Sequence, residues 1–268
     1  MSSYVFDQTW RKERDRLGSL EYLFDGASRR LLADLGVGEG WQCLEVGCGA
    51  GGLALWLAER VGGTGRVLAT DLDPRFLEGH GRANLDVLVH NILTDPLDEG
   101  TFDLVHARAV LVHLPARADA LARMVASLKP GGRLLLEDVD FGGPTSAVLG
   151  QFTSAPYPDV TEVMERVYRA VSAVFATAGA DPSIGKRLPA LLRSAGLVDV
   201  AAEVHAPIVP GGTEEWVPGT VEQLRDRVVG SGIASAADVE RVLAVCADPA
   251  AYYAPPLMVS AWGRRPAD

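Results

Sequence analysis

Leu44-Glu45-Val46-Gly47-Cys48-Gly49-Ala50-Gly51-Gly52 is the stretch on which the reading of the whole chain turns. Residues 43–46 have the short apolar character of a buried strand, and residues 53–61 that of an apolar helix. Glycines between the two let the backbone turn sharply and approach a ligand closely, while the helix that follows offers free N–H groups at its N-terminus. Glu45 stands out, because a carboxylate in an apolar strand is costly unless it meets a cationic or N–H-rich partner; its position predicts a ligand that carries an amine. The loop alone leaves three readings open. One is a tight strand-to-helix turn with no ligand. A second is a dinucleotide-binding loop in which Gly47, Gly49 and Gly52 satisfy G-x-G-x-x-G and Asp71 is the ribose-binding acid. The third is a site for a different nucleoside ligand, favoured by Glu45 and by the period-two glycines Gly47, Gly49 and Gly51.

Outward from this loop, strand-like and helix-like stretches alternate. Residues 66–70, 85–90, 102–106 and 133–139 read as strands, Phe76 opens a helix, residues 117–128 form another, and Lys129-Pro130-Gly131-Gly132 is a turn. This order predicts a doubly wound α/β sheet. Ahead of it, residues 6–17 place Phe6, Trp10 and Leu17 among charges as a short amphipathic helix, so that residues 1–24 form a helical appendage, and Asp25-Gly26 opens a second run over 27–35. Beyond Phe141 come a long helix over 160–178, a shorter one over 188–194, strands over 198–209 and 257–262, and helical runs near 221–229 and 236–246. The chain reads as one domain, residues 1–268, in which segments 142–185 and 210–255 are helical segments that cover a substrate pocket at the strand ends. Phe141, Phe152, Tyr157, Trp216 and Tyr252 are its candidate lining.

Composition narrows the function. The 268 residues are 48% apolar and 22% charged, ample for a buried core. Lys and Arg number 25 against 35 Asp and Glu, for a net charge of −10, where a protein that grips phosphate backbones carries a basic face; nucleic acid is excluded as a partner. Cys43, Cys48 and Cys246 lack CxxC spacing and support neither a disulfide framework nor a cysteine zinc site, which places the chain in a reducing cytoplasm. No signal peptide and no membrane span are read.

Glu-x-Gly-x-Gly-x-Gly at 45–51 resembles the first motif of the class I S-adenosylmethionine-dependent methyltransferases, and the remaining motifs follow in order. Thr70-Asp71-Leu72-Asp73-Pro74 resembles the family's acidic motif, whose carboxylate, here Asp71, accepts both ribose hydroxyls. His90-Asn91-Ile92 resembles the adenine-contacting position, with Asn91 where many relatives have Asp. Phe102-Asp103-Leu104-Val105 resembles the fourth strand, and Leu128-Lys129-Pro130-Gly131-Gly132-Arg133-Leu134 the turn into the fifth. The resemblance covers residues 25–140 well and 188–209 and 257–264 more thinly. The opening Tyr4-Val5-Phe6-Asp7-Gln8-Thr9-Trp10 and the ending Ser260-Ala261-Trp262-Gly263-Arg264 look like an actinobacterial group within the ubiquinone-biosynthesis-like branch. It implies a Rossmann-like seven-stranded sheet, mostly parallel with the last strand antiparallel. It implies S-adenosylmethionine as cofactor and S-adenosylhomocysteine as product. The cofactor residues carried over are Glu45, Gly47, Cys48, Gly49, Gly51, Asp71, Leu72, Asn91, Ile92 and Ala107.

Methyl transfer demands in-line positioning and, for a hydroxyl acceptor, removal of a proton. The reacting groups belong after the fourth and fifth strands, where His106, Arg108, His113, Glu137, Asp138 and Asp140 lie. His113 is the candidate base, since an imidazole near its ordinary pKa accepts a proton at neutral pH, and its loss would lower turnover by about 10²–10⁴. Simple packing of the following helix is the competing role. Arg108 orients an anionic substrate or the cofactor carboxylate, or else forms a structural salt bridge, and Asp138 is the third catalytic candidate. Arg108 near the first ligand position of a magnesium site argues against a metal. Residues 179–187 fail as a phosphate loop because of their glycine spacing and because Arg187 replaces the required Ser or Thr. The expected reaction is methylation, oxygen favoured, of a small or medium-sized, partly apolar molecule of secondary metabolism by a monomer or homodimer. A pericyclase or decarboxylase that uses the sulfonium as a fixed cation, and a cofactor-binding regulatory protein, are the alternatives.

Overall fold

The computed structural model describes Phe6, residues 12–141 and residues 160–267. In chain order the elements are α1 (Glu13–Asp34), β1 (Gln42–Val46), α2 (Gly52–Val61), β2 (Arg66–Asp71), β3 (Leu85–Val89), β4 (Phe102–Arg108), α3 (Arg117–Ser127), β5 (Leu128–Asp140), α4 (Val160–Thr177), α5 (Leu188–Ser194), β6 (Val198–His205), β7 (Val209–Pro210), α6 (Trp216–Gln223), α7 (Arg225–Gly230), α8 (Ala236–Ala247), β8 (Tyr252–Tyr253) and β9 (Leu257–Arg264). Among the described residues seven strands form one sheet in the order β3-β2-β1-β4-β5-β9-β6, and β7 pairs with β8 apart from it. Strands β1 to β5 pair in parallel, while β9 runs antiparallel to both β5 and β6. The doubly wound, mostly parallel sheet with a reversed last strand is thus the fold that the sequence predicts. Its strand order reverses between β1 and β4, where the loops leaving the two strands diverge and open a crevice at their carboxyl ends.

The period-two alternation of the strands divides the buried residues between two faces. Leu44, Val46, Val105, Ala107, Leu134 and Leu136 face the core shared with α3 and α4, whereas Cys43, Leu104 and Leu135 join Leu31, Leu32, Leu53 and Leu57 under α1 and α2. On this second face the character changes along the strands. Two residues past the apolar layer stand Glu45, His106 and Glu137, with Arg108 beyond, all buried at the carboxyl edge.

Three local readings are corrected by the structure. Residues 13–34 form one helix instead of two, and the boundary drawn after residue 24 falls inside it. The apolar stripe Leu20, Leu23, Phe24, Leu31 and Leu32 continues at helical spacing through Gly26, a glycine that costs about 1 kcal/mol relative to alanine and is tolerated for that packing. Asp25 caps nothing and is turned toward arginines. Phe76 lies in a single 3₁₀ turn, Arg75–Leu77, in place of a helix, because Pro74 precedes it and Gly79 and Gly81 follow with positive φ. Finally, β5 runs through the Lys-Pro-Gly-Gly segment. Its register against β4 jumps from Phe102↔Leu128 to Leu104↔Arg133, so the extra residues are absorbed as an irregularity in the ladder.

Candidate active site

A cleft enclosing about 1260 Å³ of space, part of it open to solvent, lies over the carboxyl ends of β1, β2, β4 and β5. Its floor at one end is the glycine loop. Gly47 has φ +72°, and a Cβ there would come within 2.4 Å of a Val110 methyl; Gly51 has φ +94°, and a Cβ would strike Leu77 at 2.3 Å. Only glycine meets both demands. Asp71 closes β2 beside the loop, and its two carboxylate oxygens accept from Gly49 N–H at 2.9 Å and Asp73 N–H at 3.0 Å. The carboxylate therefore ties the loop to the strand end while lining the cleft.

Glu45, Gly47, Cys48, Gly49, Asp71, Leu72, Asn91 and Ile92 line this cleft together. Gly51 and Ala107 do not: Gly51 shapes the turn from behind, and Ala107 is buried on the opposite face of β4. The structure also adds residues that the sequence reading passed over. Helix α1 contributes Arg16, Leu17, Leu20 and Glu21, and Glu21 accepts from the Gly52 N–H at the start of α2 at 2.7 Å. Burial pushes the Glu21 carboxyl above its ordinary pKa, against the pull of that N–H. Ala109, at φ +55°, turns the chain after β4 with its N–H on the Glu137 carbonyl at 2.8 Å, a left-handed conformation that a non-glycine residue adopts only where its surroundings enforce it.

Glu45 finds its cation within the protein. His106 stands opposite it in the β1–β4 register, with Nδ1 2.7 Å from Glu45 Oε2 and Nε2 3.0 Å from Glu137 Oε2. Both ring nitrogens face carboxylate acceptors, so both carry protons. Burial works against a charged imidazole, but the two carboxylates outweigh it and raise His106 to about 9. Glu137 likewise resists burial through His106, Arg108 and Ser260, and is held down at about 2. Ser260 donates to Glu137 Oε1 at 2.5 Å and Ser28 to Oε2, while Arg108 donates to Ser28 Oγ at 2.9 Å and to Asp25 at 2.7 Å. An amine on the ligand is thus no longer required by the burial of Glu45. Arg108 reaches the cleft but is engaged by α1 as the salt bridge that was its alternative role.

His113 lines the cleft, stacked on Phe175 at 5.6 Å and edge-on to Phe6 at 5.8 Å. Desolvation, with Arg16 nearby, pushes its pKa down to about 3, which removes the premise of an imidazole near its ordinary value. Asp138 does not reach the cleft lining. It is buried beneath the turn Leu111–His113 and accepts the Val112 N–H at 3.1 Å, and desolvation raises it to about 7. Of the candidate acceptor-side residues, Phe141 and Trp216 line the cleft, Tyr252 is 47% exposed elsewhere, and Phe152 and Tyr157 lie outside the described residues. Among the described residues no group of three or more His, Cys, Asp or Glu converges as a metal site requires.

The donor set suits an adenosyl ligand. His90 lines the cleft, its Nε2 donates to the Pro96 carbonyl at 3.2 Å, and its Nδ1 is buried with no partner among the described residues. An exocyclic amine complements that atom. Asn91, at the expected adenine-contacting position, already receives the Leu93 N–H on its side-chain oxygen at 3.0 Å.

Comparison with known proteins agrees with this geometry. The family described as a methyltransferase domain matches residues 44–136. The methyltransferase str2 of Strobilurus tenacellus is 29% identical over 221 residues, covering 79% of this chain and 75% of its own. The ubiquinone/menaquinone biosynthesis C-methyltransferase UbiE of Idiomarina loihiensis is 32% identical over 124 residues, 43% of this chain and 49% of that one. In structure, the YcgJ protein of Bacillus subtilis superposes with a TM-score of 0.58 at 15% identity, over 90% of this chain and 99% of YcgJ, a likeness of fold. These likenesses support a class I S-adenosylmethionine-dependent methyltransferase, with S-adenosylmethionine as its cofactor.

Proposed function

We propose that this enzyme methylates a small or medium-sized, partly apolar secondary metabolite, preferably on oxygen, and that it works in the cytoplasm as a monomer or homodimer without nucleic acid. One observation carries the reading. The cleft joins a polar end, with Asp71, Glu45 and the glycine loop, to an end walled by Phe6, Phe141, Phe175 and Trp216. Bound S-adenosylmethionine supplies an electrophilic methyl group on a sulfonium. Asp71, Asn91, Ile92 and His90 hold the nucleoside side, and residues 45–49 with Leu72 shape the remainder, with Gly51 and Ala107 acting from behind. The aromatic wall excludes water and orients the acceptor, so the chain contributes chiefly by proximity. Incubation with methyl-labelled cofactor and a panel of apolar alcohols and phenols should deliver label to a product; label that is bound but never transferred would leave only the role of a fixed cation.

His113 serves here as a neutral contact on the acceptor, since protonating it in this setting is unfavourable. His113→Ala should therefore lower kcat by less than about tenfold and raise the acceptor KM, with S-adenosylhomocysteine affinity unchanged. A loss of 10² or more in kcat alone would restore it as the base.

A further inference from the structure

Beyond the aromatic wall the cleft adjoins a smaller apolar chamber. The two share Phe141, Trp216 and Thr220, and the chamber adds Tyr168, Val171 and Val221 among its lining. Phe141 packs against Phe175, Tyr168 and Trp216 with ring centroids 5.5–6.5 Å apart, a wall of low polarity. Thr220 is the exception in it. The residue is 6% exposed, and its Oγ1 makes no hydrogen bond to any described residue. Valine has the same shape, and its neighbours Val217 and Val221 are valines, so a hydroxyl at this point is destabilising unless something else receives it.

The position is built, not incidental. Glu214, buried ahead of α6, accepts from Trp216 N–H at 2.5 Å and Val217 N–H at 3.0 Å and from the Tyr253 hydroxyl, which fixes the first turn of the helix that carries Thr220. Tyr168 hydroxyl is engaged by the Ala254 carbonyl at 3.4 Å. Arg16, which lines the cleft beside Phe6, is paired with Glu13 at 2.6 Å and lies over the Phe6 ring at 4.1 Å, so its charge is already matched.

We infer that Thr220 is the acceptor-orienting residue: its hydroxyl donates a hydrogen bond to an oxygen of an uncharged, largely apolar acceptor seated against Phe141 and Trp216. The inference rests on the methyltransferase reading above and sharpens it to a chemical class and a specificity-determining side chain. A single neutral hydrogen bond of this kind separates matched ligands by about five- to tenfold.

The test uses the full chain saturated with S-adenosylhomocysteine, titrated calorimetrically with p-cresol, toluene and 4-methylbenzoate. Native protein should bind p-cresol about five- to tenfold more tightly than toluene, and 4-methylbenzoate more weakly than p-cresol. Thr220→Val should bring p-cresol down to the level of toluene, leaving toluene and S-adenosylhomocysteine affinities as they were, and Thr220→Ser should retain most of the preference. A p-cresol preference that survives Thr220→Val, tightest binding of 4-methylbenzoate, or no p-cresol binding up to its solubility would each overturn the inference. Failure of the native protein to bind S-adenosylhomocysteine in the first titration would instead overturn the reading on which it rests.

Discussion

His106→Leu should lose about 3–5 kcal/mol of folding stability, because it leaves the Glu45 and Glu137 carboxylates in one buried layer without the cation between them. At about 2–4 °C per kcal/mol for a chain of this size, melting should fall by roughly 10 °C. The loss comes from the carboxylates left behind, so the double variant His106→Leu with Glu45→Leu should recover a good part of it, as removal of both members of a buried pair often does. Calorimetry at pH 6 decides the matter. A single variant melting within 2 °C of the native protein would mean that the layer is solvated or rearranges freely.

The same group sets a pH dependence. His106 rises from 6.5 to about 9 on folding, so its stabilisation is complete below about pH 6.5 and disappears as pH climbs through 9. Glu137 moves from 4.5 down to about 2, so its contribution is present above about pH 4.5 and disappears as pH falls through 2. Between these limits His113, lowered to about 3, and Asp138, raised to about 7, tilt stability in opposite directions and nearly cancel, so denaturant unfolding of the native protein should show a plateau there and an alkaline decline on the order of 3 kcal/mol by pH 9. That decline should be absent from His106→Leu.

Much of this architecture was legible because its causes are local. Alternating strand and helix periods and glycines that only a tight turn explains lie within a few residues of one another and predict the sheet, while the resemblance to the methyltransferase motifs names eight residues that line the cleft. What remained hidden depends on contacts across the chain. Nothing near Glu45 announces that His106, sixty-one positions on, stands beside it in the sheet, and the parity shared by Glu45, His106 and Glu137 is visible only once the register is known. Helix α1 was divided at Gly26 because a glycine after Asp reads as a helix start, whereas burial of Leu31 and Leu32 under the sheet carries the helix through. The depressed basicity of His113 follows from rings contributed by Phe6 and Phe175, both distant in sequence. Thr220 carries no local signal at all, since its meaning is that a hydroxyl stands where the surrounding wall is apolar.

Asp71→Ala should weaken S-adenosylmethionine and S-adenosylhomocysteine by about 10–100-fold, or about 1.4–2.8 kcal/mol. Two effects combine. The substitution removes the carboxylate that we propose receives the ribose hydroxyls, and it frees Gly49 and Asp73 N–H groups that hold the loop in place. The conservative variant is informative because both oxygens already accept from the backbone. Asparagine supplies one acceptor and one amine, so Asp71→Asn sets a donor against a backbone donor on one side. It should therefore bind the cofactor no better than Asp71→Ala, although a charge-only role would predict an intermediate affinity. Calorimetric titration of the three proteins with S-adenosylhomocysteine separates these outcomes: equal affinity for native protein and Asp71→Ala would remove Asp71 from the site, and an intermediate Asp71→Asn would show that the loop tether matters less than the charge.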